Sequence, residues 1–321
     1  MLEEENALRR CSAALAQRRP GEAELIAREV LSTNPQQPAA LFFLGVAHLV
    51  QGRAQEAVKP LELAASNRAE ASIETHLGMA LRECGRVPEA LTWFERATSR
   101  WPVFAPAFKE LGVTYRQMRR FADAEAVLRR GQELAPPMPD LDVLLGAVCL
   151  DRGDPMKAQA VFTRALAQVP GHPEALFGLA TALLNQGEFV RAAEQYRQIL
   201  ARDPAHTRAL LYLGHCLMEL GQWDEGVAML RGAAKVDPTM RGHVMRMLVG
   251  CAHGKFWLKR SAAAAFLDGR EPERTSVAVK SAARDELKFA PISAHSRESG
   301  NPEAENSAKE LGPRVRGDER N

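Results

Sequence analysis

The sequence is poor in aromatic residues and in net charge. Aromatic side chains make up 6% of its 321 residues, and the formal net charge is only +2. Ala, Leu, Arg and Glu are abundant instead, a composition that is typical of helices. So small a net charge gives no reason to expect a nucleic-acid partner. We therefore expect a helix-rich protein that does not bind nucleic acid.

Long hydrophobic runs are also missing. The longest apolar stretch, AALFFLGVAHLV, covers only residues 39–50 and includes a histidine. A stretch of this length is too short to cross a bilayer as a helix. The start of the chain, MLEEENALRRC, lacks the apolar core of a secretory signal. These features predict no membrane insertion and a cytoplasmic location.

Cysteine is scarce, and the cysteines are scattered. There are five of them, an odd number: Cys11, Cys84, Cys149, Cys216 and Cys251. Disulfide frameworks and zinc sites need paired or closely spaced cysteines, so this spacing favours reduced and mostly buried thiols. We expect no metal site.

Catalytic motifs are missing as well. The sequence has no H-E-x-x-H and no G-x-S-x-G. VGCAHGKF at residues 249–256 resembles a phosphate-binding loop only superficially, because its glycines are one residue too close and Phe256 stands where Ser or Thr is needed. We therefore predict a protein that is not an enzyme and that needs no cofactor.

Internal repetition is the strongest feature that is present. Small residues recur at steps of 33 or 34 in the first half of each repeat: Gly45, Gly78, Gly112, Gly146, Ala180 and Gly214. Small residues also recur in the second half: Ala57, Ala90, Ala124, Ala158, Ala192 and Gly226. A bulky column follows: Leu61, Phe94, Leu128, Phe162, Tyr196 and Leu230. Most repeats then end in proline: Pro102, Pro136, Pro170, Pro204 and Pro238.

Each column has a physical interpretation. Small residues allow two helices to cross closely, and the bulky residues are expected to fill the space between one helix pair and the next. Proline ends the second helix of each repeat. A glycine ends most of the first helices: Gly52, Gly85, Gly153, Gly187 and Gly221.

A two-helix unit of 34 residues with these columns resembles the tetratricopeptide repeat family. The resemblance implies an all-α fold, a right-handed superhelical solenoid of about six to seven helix–turn–helix repeats with a C-terminal capping helix pair. A degenerate first repeat would cover residues 1–37, and capping helices would cover 241–269. Six regular units would lie between them: 38–70, 71–104, 105–138, 139–172, 173–206 and 207–240.

Three departures from the pattern predict local irregularities. Pro60 falls inside a second helix, where we expect a kink. Arg119 replaces the glycine between two helices, and Gly131 is expected to weaken the end of its unit.

The last 52 residues differ from the rest. Residues 270–321 contain few large apolar side chains and balance basic with acidic residues. Such a segment buries too little apolar surface to offset the entropy of ordering, so we predict a disordered tail. Residues 295–321 also resemble a translated bacterial interspersed repeat element.

The family resemblance implies that the first helices line a concave groove. By column, the groove positions are Phe42, Val46, Leu49, Arg82, Lys109, Arg116, Phe177, Leu184, Leu211, His215 and Met218. The three cations among them form a basic cluster. It either meets an anionic partner or is a solvated face neutralised by Glu83 and Glu110.

Two specialised family sites are not matched. A clamp for the chaperone C-terminus needs an asparagine one turn after the lysine, but Val113 follows Lys109. The asparagine ladder of sugar-transferring relatives is also missing, since its column reads Phe43, His76, Glu110, Leu144, Gly178 and Tyr212.

Two functional hypotheses remain. The first is a non-catalytic adaptor that binds a protein or peptide partner in its concave groove as an extended segment or a helix. The second is the substrate-recruiting arm of a glycosyl- or sulfotransferase system whose catalytic domain is absent or on another chain.

Overall fold

The computed structural model of the protein describes residues 2–250. Within this range the chain forms α-helices, one short 3-10 helix at Pro238–Met240, and no strand. The α-helices are α1 (Leu2–Ala16), α2 (Pro20–Thr33), α3 (Pro38–Val50), α4 (Ala54–Asn67), α5 (Ala71–Glu83), α6 (Val87–Thr98), α7 (Ala105–Gln117), α8 (Phe121–Leu134), α9 (Pro139–Asp151), α10 (Pro155–Gln168), α11 (Pro173–Asn185), α12 (Phe189–Arg202), α13 (Thr207–Glu219), α14 (Trp223–Val236) and α15 (Arg241–Gly250).

The helices are arranged in consecutive pairs. Each odd-numbered helix from α1 to α13 packs against the even-numbered helix that follows it. Consecutive odd-numbered helices from α1 to α11 also contact each other, so they line the inner wall of the array. The predicted all-α, right-handed superhelical solenoid is confirmed.

The small and bulky columns meet inside each helix pair. A Cβ atom on Gly78 would lie 2.6 Å from the Phe94 ring, and one on Gly112 would lie 2.7 Å from Leu128. Both glycines are therefore required for the first helix to pack on the bulky residue of its own unit. We expected the bulky column to fill the space between one pair and the next. It also packs inside its own pair, and Phe162 does both, because it lies against Gly146 of its own pair and Gly178 of the next.

The turn between the helices of a pair needs left-handed backbone geometry. Gly153 has a φ of 76° there, which glycine adopts without steric strain. Arg119 holds the same place between α7 and α8 with a φ of 59°. The substitution in the sequence therefore leaves the turn unchanged and places an arginine in a conformation that is unfavourable for it.

The other two predicted irregularities do not interrupt their helices. α4 runs from Ala54 to Asn67 through Pro60 without a break. Gly131 lies inside α8, and a Cβ atom there would be 2.8 Å from Phe108. This glycine therefore makes room for the Phe108 ring. We expected it only to weaken the end of its unit, and the sequence did not indicate this packing role.

The array ends, within the described range, at α15. This helix belongs to the region 241–269 that was predicted to cap the solenoid. Residues 251–269 and the predicted disordered tail, 270–321, lie outside the described residues.

Candidate functional site: a cavity in the inner wall

Four first helices, α7, α9, α11 and α13, enclose a cavity in the inner wall. Its volume is about 630 Å³. The middle of the cavity is mostly apolar, and its edges carry charged and titratable side chains. Its lining includes Lys109, Val113, Arg116, Asp140, Val143, Ala147, Phe162, His172, Glu174, Phe177, Gly178, Thr181, His206, Arg208 and Tyr212.

The floor of the cavity depends on two glycines that flank one aromatic ring. A Cβ atom on Gly146 would lie 2.7 Å from the Phe162 ring, and a Cβ atom on Gly178 would lie 2.3 Å from the same ring. Both distances are too short for a real contact. Phe162 can therefore lie between α9 and α11 only because both positions lack side chains. The floor of the cavity is therefore apolar at its centre.

One end of the cavity is aromatic. The Phe177 ring centroid lies 5.8 Å from that of Tyr196 and 5.8 Å from that of Tyr212. The guanidinium of Arg208 lies over Phe177, 4.4 Å from its centroid, within the usual range of a cation–π contact. Burial raises the pKa of Tyr212, and the neighbouring Arg208 offsets part of that rise. Its hydroxyl therefore remains protonated at neutral pH.

The start of α13 adds a histidine to the same end. His206 Nδ1 accepts a hydrogen bond from the Ala209 N–H at 3.1 Å and so caps the helix. Because Nδ1 is an acceptor, the proton of the neutral ring is on Nε2. The ring also packs at 5.6 Å from Phe177, so His206 contributes both to the helix end and to the aromatic wall.

The rim at the start of α9 and α11 is acidic, but its acids are paired. Lys109 Nζ lies 2.5 Å from Asp140 Oδ2, and His172 Nε2 lies 3.5 Å from Asp140 Oδ1. The hydrogen bond from Lys109 is the main reason why the pKa of Asp140 is lowered. The other nitrogen of the His172 ring, Nδ1, lies 3.2 Å from Glu174 Oε2, but these two atoms do not form a hydrogen bond.

The predicted basic cluster is neutralised by carboxylates of the following unit. Arg82 Nη2 is 2.7 Å from Glu110 Oε2, and Arg82 also donates to Thr114. Arg116 Nε is 2.5 Å from Asp151 Oδ2, whose side chain is almost fully buried. Together with the Lys109–Asp140 pair, these contacts join α5 to α7 and α7 to α9. The three cations are thus neutralised locally, but only Glu110 of the two carboxylates that we expected takes part; Asp140 and Asp151 pair with Lys109 and Arg116.

The structure brings three of the eleven predicted groove residues into the cavity: Lys109, Arg116 and Phe177. Phe42, Val46 and Leu49 are half-buried on α3, outside the cavity. Phe42 packs edge-on against His76 at 5.1 Å.

Besides Phe177, four predicted groove residues lie on α11 and α13, and three of them are buried. Leu184, Leu211 and Met218 are 5%, 2% and 1% exposed and belong to one apolar cluster of the core. Met218 lies against Gly226 of α14, which has no side chain to keep it away. These three residues support the wall and offer no surface to a partner, which corrects the sequence prediction. His215 is partly exposed, with Glu219 3.5 Å away.

Sequence reasoning missed the rim residues. Asp140, His172, Glu174, His206 and Arg208 lie at or just before the start of their helices, one turn ahead of the columns used for the prediction. One feature of the sequence could have indicated them: polar residues recur in successive units, immediately after the loop that joins one unit to the next.

Two kinds of site have no support in residues 2–250. No group of three or more His, Cys, Asp or Glu side chains there is placed to hold a metal ion. In the same range, no helix combines the length and the apolar character that a bilayer crossing requires.

Family models cover most of the array. A tetratricopeptide repeat model matches residues 8–72, 75–139 and 145–205, and a second model of the same repeat matches residues 183–243. The chain belongs to the tetratricopeptide repeat family. This assignment indicates a protein-interaction scaffold, and the repeats of the family are generally non-catalytic.

Solved structures of tetratricopeptide repeat proteins are similar in fold to this chain. One, from Parabacteroides merdae, has 15% identity and a TM-score of 0.57, and the match covers 77% of this chain and 99% of that one. Another is pilF of Pseudomonas aeruginosa, with 20% identity, a TM-score of 0.56, and coverage of 63% and 92%. A third is PilW, a type IV pilus biogenesis factor, with 18% identity, a TM-score of 0.58, and coverage of 64% and 95%.

No curated protein matches the sequence. The matches to family models and solved structures concern the repeats alone and give no support to a role as the recruiting arm of a transferase.

Proposed function

We propose that this tetratricopeptide repeat protein is a non-catalytic adaptor that binds an extended segment or a helix of a partner protein in the cavity of its inner wall. The observation that carries the proposal is a cavity of about 630 Å³ with an apolar middle and polar edges. Ligand sites in proteins commonly have this size and this distribution of polarity. Peptides bind such grooves through a few apolar anchors while polar groups at the edges fix their position.

Two residues are well placed to contact an apolar anchor. Phe177 is only partly buried, although it packs on two tyrosines, so part of its ring remains accessible from the cavity. Val143 on the neighbouring α9 is also partly exposed and lines the same space. Covering these two side chains would remove apolar surface from water, which favours binding.

The proposal is tested by filling the cavity. Ala147 lies on α9, lines the cavity and is partly exposed, so Ala147→Phe adds a ring where the peptide would bind without removing a core contact. Peptides of about eight residues, long enough to cross three helices when extended, would be selected by display on the full chain. We expect Ala147→Phe to weaken the selected peptides at least about tenfold, as measured by fluorescence anisotropy.

Ala126→Phe is the matched control, because Ala126 is exposed on the second helix α8, away from the cavity. It should leave affinity unchanged, and both variants should keep their helical circular dichroism. Equal affinity of the two variants for every selected peptide, or failure to select any peptide, would rule out the cavity as the binding site.

A further inference from the structure

The cavity contains one permanent cation whose charge is not compensated. Lys109 and Arg116 are paired with Asp140 and Asp151. Arg208, in contrast, has no carboxylate within ion-pair distance among residues 2–250. Its described contacts are the Phe177 ring and the Tyr212 side chain, neither of which carries a negative charge at neutral pH.

The acids of the cavity wall are not available to Arg208. Asp140 is held by Lys109 and lies near His172. Glu174, the other acid of the wall, has a mostly exposed side chain and lies near His172 instead. A partly buried guanidinium without a counter-charge is unfavourable, so a bound carboxylate would be stabilised here more than on the open surface.

The stacking of Arg208 keeps N–H groups at the edge of its guanidinium free to bind a carboxylate. Its guanidinium is stacked on Phe177 with the carbon 4.4 Å from the ring centroid. A stacked guanidinium uses its face for the ring and keeps N–H groups at its edge, which match the two oxygens of a carboxylate.

Arg116 lies on α7, three first helices away from Arg208 on α13, and differs from it in charge balance. Asp151 compensates its charge through Nε, but Nη2 is buried and has no hydrogen-bond partner among residues 2–250. A buried donor without a partner is unfavourable by itself. Because the charge of Arg116 is already balanced and its unpaired nitrogen is buried, Arg116 is not a site for a partner's carboxylate, whereas Arg208 is.

We infer that the cavity selects a partner segment with an acidic side chain on Arg208 and an apolar side chain against Phe177 and Val143. The inference rests on the proposed function and names the chemistry of its partner. It also replaces the sequence-based expectation that acidic residues meet Arg82, Lys109 and Arg116, since those three cations are paired within the chain.

The acid is assigned to a side chain within the segment and not to a chain terminus. Terminal carboxylates are commonly captured by main-chain N–H groups arranged as a nest, whereas the donors around Arg208 are side chains: the guanidinium itself, the Tyr212 hydroxyl and His206 Nε2. The partner chain therefore continues past this position.

The test uses the full chain and a display library of peptides of about eight residues with amidated C-termini. We expect the selected pool to be enriched in Asp and Glu at one position relative to an apolar residue. Changing that acid to its amide should weaken binding to the unmodified protein about three- to tenfold at low salt, and less at high salt because the charges are partly exposed.

Arg208→Gln should remove the preference, so that the acidic peptide and its amide bind this variant equally. Arg130→Gln is the matched control: Arg130 also lies over a phenylalanine, Phe108, at 5.8 Å, but on the outer helix α8. The Arg130→Gln variant should still bind the acidic peptide more tightly than its amide. Arg208→Glu should in turn prefer a peptide in which the acid is replaced by lysine.

The outcomes separate the two proposals. The acidic-segment inference is overturned if Ala147→Phe blocks the peptides but Arg208→Gln leaves the preference for acid unaltered. It is also overturned if only peptides with a free C-terminal carboxylate bind. In both cases the proposal that the cavity binds a partner segment is retained. If Ala147→Phe has no effect on any peptide, the proposed function fails and the inference fails with it.

Discussion

A missing side chain determines how closely α13 and α14 pack. A Cβ atom on Gly214 would lie 2.7 Å from Leu230 and 2.9 Å from the carbonyl oxygen of Gly226. The leucine could shift, but the backbone oxygen could not without moving α14. Gly232, on the same helix pair, differs because its nearest neighbour, Leu210, would be 3.8 Å away.

These two glycines should therefore respond in opposite directions to alanine. We expect Gly214→Ala to lower the free energy of unfolding by about 1–3 kcal/mol through overpacking. Gly232→Ala should raise it by about 0.5–1 kcal/mol, since alanine favours the helix and its Cβ atom would meet Leu210 at an ordinary van der Waals distance. Urea unfolding followed by circular dichroism measures both, and a loss of stability in both variants would contradict this view of the helix crossing.

Glu24 on α2 connects the first units of the array through its charge. Burial alone would raise its pKa, but hydrogen bonds from Gln51, Arg28 and Arg53 outweigh that effect and lower the pKa from 4.5 to about 2. The ionised form is therefore favoured by folding. Its contribution to stability is present above about pH 4.5 and is lost as the pH falls towards 2.

Glu24→Gln should consequently flatten the acid side of the stability curve. The difference in unfolding free energy between about pH 5 and about pH 2.5 should be smaller in this variant than in the unmodified protein. Glu56→Gln is the control, because Glu56 also pairs with Arg53 but is 53% exposed and contributes little. If stability falls with pH equally in Glu24→Gln and in the unmodified protein, the hydrogen bonds of Glu24 do not determine the acid dependence of stability.

At the scale of the helices, the turn between α7 and α8 carries strain that the turns built on glycine avoid; Arg18, between α1 and α2, has a similar φ of 57°. Arg119 has a φ of 59°, whereas Gly153 occupies the corresponding turn with a φ of 76°. Left-handed geometry is unfavourable for residues with a Cβ atom by about 1–2 kcal/mol. The flexibility that glycine adds to the unfolded chain offsets part of this difference.

Arg119→Gly should therefore stabilise the protein by about 0.5–1 kcal/mol, read as a higher urea midpoint at an unchanged slope. The reverse change, Gly153→Arg, should lower stability by a similar amount or more. A lower midpoint for Arg119→Gly would mean that the contact of Arg119 with Phe121, 5.8 Å from its ring centroid, outweighs the strain.

The helices themselves could be predicted from the sequence because each one repeats the same local signals. The Gly153 turn and the Gly78–Phe94 contact recur in several units, so a single period predicts many elements. Helix α4 shows where this reasoning stops. Pro60 removes one N–H inside it, but packing of Val58 and Leu61 in the core keeps the helix continuous.

At the scale of the whole molecule, the wall of the groove was harder to predict than the fold. The column of a residue indicates which face of a helix it occupies, but not which neighbours cover that face. Leu184 and Met218 share a column with Arg116, yet both are buried while Arg116 lines the cavity. The pairing of Arg116 with Asp151 also depends on the next unit, 35 residues away, and no local pattern reveals it.

The central claim is that a partner segment lies on the inner wall between α7 and α13. The most direct measurement is photo-crosslinking: a selected peptide carrying a photoreactive leucine analogue is irradiated with the full chain, and the crosslinked residues are identified by mass spectrometry. We expect crosslinks to cavity residues of the first helices, such as Val143 and Phe177, and their loss in Ala147→Phe. Crosslinks concentrated on the outer second helices, for example at the exposed Met156 or Val190, would contradict the account.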